Sequence, residues 1–119
     1  MTVKEIADRY YDAYKSRQGD MSGVPLADDF RFRGPVASFD NAEGFRGMAR
    51  GAGQMIESFN VRHQFIEGDR VCSIIECELT LPIPTIVSAE VLEIEDGKLV
   101  SADLIYDAQE LRAAMAQAG

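Results

Sequence analysis

The sequence predicts an α+β domain with a mostly antiparallel sheet, and three observations predict it. The first half holds segments of helical period that open on capping signals. The second half holds four strand-like runs joined by turns with glycine, and a last capped helix closes the order. With 119 residues the chain has the size of one domain. Such a chain buries roughly two-thirds of its unfolded surface, enough for a core without disulfides or metals.

The opening element is a helix. Thr2 and Glu5 form an S/T-x-x-E capping box, in which each side chain satisfies the other's free backbone N–H. Ile6, Tyr10, Ala13 and Tyr14 follow at helical spacing and face a core. "RQGDMSG" ends the helix with turn chemistry, and "VPLADDF" reads as a short helical turn with Pro25 near its start. In "FRFRGPVASF", Phe30 and Phe32 alternate with Arg31 and Arg33, a short strand that ends in a bend at Gly34-Pro35.

Asp40 with Glu43 makes a second capping box, opening a helix over about Ala42 to Phe59. Gly44, Gly47, Gly51 and Gly53 each cost that helix about 1 kcal/mol relative to alanine. Close packing against a neighbour, or local bending, accounts for tolerating them. Their spacing matches no phosphate-binding loop.

"VRHQFIEGDRVCSIIECELTL" is two strands joined at Gly68-Asp69, a two-residue hairpin loop. That loop sets His63 opposite Ile74 and Val61 opposite Glu76. "LPIPT" has two prolines and is a loop or an edge. "IVSAEVLEIEDGKLVSADLIYD" is a second hairpin, turning at Glu95-Asp96-Gly97. Asp107 with Glu110 then caps a last helix through Leu111, Ala114 and Met115.

Composition narrows the function classes. A net charge of −8 and a sequence pI near 4.5 oppose a nucleic-acid surface, which needs clustered Lys and Arg, and give no attraction to anionic lipid. Cys72 and Cys77 lie five apart on one strand, hence on opposite faces, and read as free thiols suited to a reducing cytoplasm. "MTVKEIADRYY" lacks an apolar run of signal-peptide length, and nothing approaches the ~20 apolar residues of a membrane span. His63 is the single histidine, which excludes a multi-histidine metal site. No metal or cofactor is expected.

This order of elements, with "ADRYYDAYKSRQGD", "LADDFRFRGPV" and "IEDGKLVSADLIYDAQELRAAM", resembles the SnoaL-like branch of the nuclear transport factor 2-like superfamily over the whole chain. The resemblance implies a cone-shaped roll: a curved, mostly antiparallel sheet wrapped around the N-terminal helices, with an interior pocket. Two enzyme groups on that fold are also similar. Ketosteroid isomerases need an Asp base just before a proline, where this sequence has Gly34-Pro35, and a protonated Asp on a later strand, where alignment on Asp96-Gly97-Lys98 places Ala89. Their helix-1 tyrosine corresponds to Tyr10, Tyr11 or Tyr14. Limonene-type epoxide hydrolases resemble "GKLVSADLIYDAQELRAA", but their Asp-Arg-Asp set falls on Leu104, Glu76 and Glu78. Neither catalytic set is retained.

Both alignments turn Ile74, Glu76 and Glu78 toward the pocket. The competing reading is a solvated face for the two glutamates, with Ile75, Cys77 and Leu79 as the core face. If buried, the pair cannot ionise cheaply together, and one becomes an acid or base working near neutrality. The candidate catalytic residues are therefore Glu78 and Glu76 with His63. Tyr14, Phe32, Phe39 and Met55 are the expected lining, together with Ile74, Ala89, Ala102 and Leu104. Asp40 and Asp107 are helix caps.

The leading expectation is a protein that binds a small, largely apolar molecule in an interior pocket and pairs as a homodimer through the outer sheet face. The alternatives are an enzyme doing acid–base chemistry (isomerase, polyketide cyclase, hydratase or epoxide hydrolase) and a protein-interaction domain.

Overall fold

A computed structural model describes residues 1–118. The elements run α1 (Val3–Ser16), β1 (Leu26–Arg33), β2 (Ser38–Phe39), α2 (Ala42–Gly53), β3 (Ile56–Glu67), β4 (Arg70–Leu79), β5 (Ile86–Glu95), β6 (Lys98–Ile105) and α3 (Gln109–Ala118). All six strands form one sheet in the order β2-β1-β6-β5-β4-β3, antiparallel except where β1 lies parallel to β6. This is the expected α+β roll, with the sheet curved around α1 and α2.

Each helix start follows local chemistry. The Thr2–Glu5 box is formed, Glu5 N donating to Thr2 Oγ1 at 3.1 Å and Thr2 N to Glu5 Oε1 at 3.2 Å. At α2 the cap is Asn41 rather than Asp40: Gly44 N donates to Asn41 Oδ1 at 2.7 Å, while Asp40 pairs with Arg33 at 2.6 Å. Asp107 accepts from Gln109 N at 3.0 Å at the start of α3.

Two expected boundaries move. "VPLADDF" is not a helical turn; Leu26 already belongs to β1, pairing with Leu99 of β6, and an irregularity before Arg31 leaves Asp28 and Asp29 exposed. The second helix stops at Gly53 rather than near Phe59. From Ile56 onward the chain pairs with β4 along nearly its whole length, a gain that outweighs extending a glycine-weakened helix.

Gly68-Asp69 and Asp96-Gly97 are the hairpin loops, with positive φ at Gly68, Asp96 and Gly97. The core fills the concave side: Ile6, Tyr10 and Ala13 from α1 and Phe45 and Ala49 from α2 meet Phe30, Val71, Leu92 and Leu99 from the sheet. Cys72 and Cys77 are free and fall on opposite faces of β4. Among the described residues no helix is long and apolar enough to cross a membrane.

Candidate functional site

Strand alternation decides which side chains enter the interior. On β4 the inward set is Val71, Ser73, Ile75, Cys77 and Leu79, and on β5 it is Ile86, Ser88, Glu90, Leu92 and Ile94. A cavity of about 360 Å³ opens between this face, α2, α3 and the Gly34–Ala37 bend. Phe32, Met48, Met55, Phe59, Ile75 and Leu104 make most of its wall apolar. Leu111 and Met115 of α3 close one side, and Arg112 donates to the Pro35 carbonyl across the rim.

Among the described residues Glu90 is the only carboxylate lining that cavity, and it is 3% exposed. Tyr10 Oη donates to Glu90 Oε2 at 2.9 Å. Burial pushes the Glu90 carboxyl up to about 7, against the hydrogen bond from Tyr10 and the nearby Tyr11 hydroxyl, which favour the ion; Asp103 adds a smaller upward push. Among the described residues Glu90 has no salt-bridge partner, so the proton takes the place of a counter-ion.

The tyrosines come from α1 at helical spacing. Tyr10 and Tyr14 stand edge to face at 5.7 Å, and Tyr14 stacks on Phe59 at 5.4 Å. Burial raises the pKa of Tyr10, Tyr11 and Tyr14, keeping all three as neutral donors. Cys77 also lines the cavity, but burial pushes its thiol up to about 11, so it stays protonated and weakly nucleophilic.

The residues singled out from sequence divide. Tyr14, Phe32, Met55 and Leu104 line the cavity. Ala102 is buried one inward step beyond Leu104, in the core, and Phe39 packs against the core from β2. Ile74 and Ala89 face each other across the ladder on the outer surface.

Glu76 and Glu78 share that outer face, contrary to the alignment-based expectation. Glu76 is paired with Arg62 at 2.8 Å and Glu78 is exposed. His63 lies opposite Ile74, as the hairpin loop predicts, but on the exposed outer face beside Phe65. The physical reason is the alternative weighed from sequence: Ile75, Cys77 and Leu79 take the interior, and two carboxylates side by side there would carry a large desolvation cost. An irregularity between Val61 and His63 also shifts the register, setting Val61 opposite Ile75 and Asn60 opposite Glu76.

Glu90 was missed by sequence reasoning. The signal was its parity with Leu92 and Ile94, which placed a carboxyl on an apolar face of "AEVLEIE". Alignment on the turn pointed to Ala89, one residue short of Glu90 and on the outer face. Among the described residues no cluster of His, Cys, Asp and Glu is arranged to hold a metal ion.

Residues 7–102 match the SnoaL-like domain. The chain belongs to the SnoaL-like family. A nuclear transport factor 2-like protein from Cytophaga hutchinsonii superposes with a TM-score of 0.80 at 20% identity, covering 94% of this chain and 96% of that one. A steroid delta-isomerase from Pseudomonas aeruginosa gives 0.78 at 17%, covering 97% and 86%. An epoxide hydrolase of LEH-like type from M. tuberculosis gives 0.72 at 12%, covering 97% and 90%. At these identities the likeness is one of fold. No curated protein matches the sequence. For this SnoaL-like chain, function has to be argued from the cavity itself.

Proposed function

We propose that this SnoaL-like protein binds a small, largely apolar molecule that carries a carbonyl or hydroxyl oxygen. The observation behind this reading is one buried carboxyl, Glu90, in an otherwise apolar cavity of about 360 Å³. Tyr10 occupies Oε2. The remaining oxygen of a protonated Glu90 is a donor held away from water, where a hydrogen bond to a ligand oxygen is strong. Apolar contacts supply affinity and Glu90 supplies orientation.

The test uses 2-naphthol and naphthalene as paired probes, with methyl NMR on Ile75, Leu104 and Met48. The expected result is saturable binding of 2-naphthol, shifts confined to those methyls, and naphthalene weaker by about tenfold, one hydrogen bond's worth. Shifts mapping to Val87 and Ile105, on the outside, would sink the reading.

A second reading is acid–base catalysis, and what favours it is the same carboxyl held near neutrality. Gly34 lines the cavity where isomerases of this fold have their base, so Glu90 would take up and return the proton itself, with Tyr10 as the neutral donor beside it. The similarity to a steroid delta-isomerase makes β,γ-unsaturated ketones the first substrates to try. Conjugation followed by ultraviolet absorbance, present in the parent protein and lost in Glu90→Gln, would convert a binding site into an active site.

The proposed working form is a homodimer through the outer sheet face, in a reducing compartment where Cys72 and Cys77 stay free. Exposed Phe65, Val87 and Ile105 supply apolar contact on that face.

A further inference from the structure

A polar seam leaves Glu90 on the side away from the cavity. Ser73 is fully buried and lies directly opposite Glu90 across the β4–β5 ladder, on the same inward face. Gln64 of β3 donates its Nε2–H to Ser73 Oγ at 3.3 Å, which leaves the Ser73 hydroxyl proton free to turn toward Glu90. Tyr11 Oη lies beside both Ser73 and Glu90 yet completes a hydrogen bond with neither. It is the one buried side-chain polar atom without a partner among the described residues. A buried hydroxyl in that state calls for an explanation.

Tyr11 and Gln64 both line an open groove between α1 and β3, with Asp8, Asp12 and Lys15 at its rim. Groove and cavity are separated by a wall in which Phe59 stacks on Tyr11 and Tyr14. The cavity mouth is marked by exposed Val36 and Met115, and the wall between it and Glu90 is mostly apolar, with Tyr106 also lining it. The remaining ionisable or polar groups around Glu90 are Tyr10 and Tyr14 from α1, Cys77 from β4, Ser88 on its own strand and Asp103 from β6.

We infer that Glu90 exchanges its proton with solvent through the Ser73–Tyr11 seam into the α1–β3 groove, not through the apolar cavity. Glu90 gives its proton to a hydroxyl oxygen of the seam while that hydroxyl passes its own proton outward to groove water. The return follows the reverse order, and no other bond changes. Gln64 carries no proton; it is a positioning residue that holds Ser73. The consequence is functional: Glu90 can change protonation state while the cavity is full. This inference rests on Glu90 being the working group of the site, as proposed above.

The experiment is rapid mixing into D₂O at about pH 6, where carboxyls of ordinary pKa are ionised. The surviving carboxylic C=O stretch then reports Glu90, with Glu90→Gln as the assignment control. Ala52→Phe fills the cavity from α2 without needing any ligand. The expected result is unchanged hydrogen–deuterium exchange in Ala52→Phe, and exchange slowed tenfold or more in Tyr11→Phe/Ser73→Ala. Tyr11→Phe alone, an isosteric deletion, serves if the double variant fails to fold, and the same slowing is expected in direction. Slowing in Ala52→Phe with none in the hydroxyl deletions, or slowing in neither, overturns the seam alone. Absence of the carboxylic band at this pH overturns the Glu90 reading together with the seam.

Discussion

Glu90 ties stability to pH in a direction opposite to that of a salt-bridged acid. Its folded pKa is raised from the ordinary 4.5 to about 7. Between those values the unfolded chain has lost the proton and the folded chain has kept it. Stability from this group is therefore complete below about 4.5, falls as pH rises, and levels off above about 7. The gap corresponds to roughly 3 kcal/mol. Glu90→Gln removes the titration, so urea unfolding should find the variant more stable than the parent by about 1–3 kcal/mol at pH 8 and indistinguishable near pH 4. Equal stabilities at both pH values would mean that the carboxyl is solvated. Tyr10→Phe removes a donor to the ionised form, and the Glu90 midpoint, followed by carboxyl NMR, should rise by about one pH unit. At this scale the sequence was partly legible. Tyr14 lies on the stripe that its helical spacing in α1 gives and Leu104 on the inward parity of β6, whereas Phe32 and Met55 read from sequence mostly as core. Glu76 and Glu78 drew attention as a pair, whereas a lone Glu90 among Val91 and Leu92 reads as an ordinary surface alternation until the ladder fixes its face.

Among the elements, α2 shows that glycines of one helix have unlike reasons. A Cβ at Gly53 would meet the Gln18 carbonyl oxygen at 2.0 Å, and one at Gly19 would meet that of Ala49 at 2.0 Å. Gly19 also has φ +82°, so the turn after α1 and the end of α2 touch backbone to backbone. A Cβ at Gly47 or Gly51 meets nothing within 4 Å. Gly47→Ala should accordingly stabilise the protein by about 0.5–1 kcal/mol, and Gly53→Ala should destabilise it by about 2 kcal/mol or more, in the same urea assay. Similar effects at both positions would remove the close-approach explanation. The existence of the helix and of the two hairpins was legible because each rests on local chemistry, whereas which of the helix's glycines is required depends on the distant contact with Gln18. The start of β1 and the end of α2 were not, because "PLADDF" and "MIESF" suit either state locally and take their strand form only from pairing with β6 and β4.

For the whole molecule, the outer sheet face carries the argument for self-association. Phe65, Val87 and Ile105 are 63%, 52% and 63% exposed, and Ile74, Ala89 and Val91 lie between them on the same face. The ion pairs Arg62–Glu76 and Arg70–Glu93 flank this apolar strip. A self-complementary two-fold contact there is of the kind that buries about 800 Å² per partner. Each copy carries a net charge of −8, so the long-range field opposes the encounter while the apolar contact favours it. Screening weakens the first and leaves the second. Sedimentation equilibrium should then show a dimer that tightens between low salt and about 0.5 M salt, the reverse of an assembly held by ion pairs. Ile105→Lys places a charge at one end of the strip and should yield a monomer with unchanged far-ultraviolet circular dichroism. Because Ile105 points away from the cavity while its neighbour Leu104 lines it, that monomer should still bind 2-naphthol. Loss of binding in a folded Ile105→Lys monomer would mean that the second copy shapes the cavity, and the binding site would have to be assigned to the dimer.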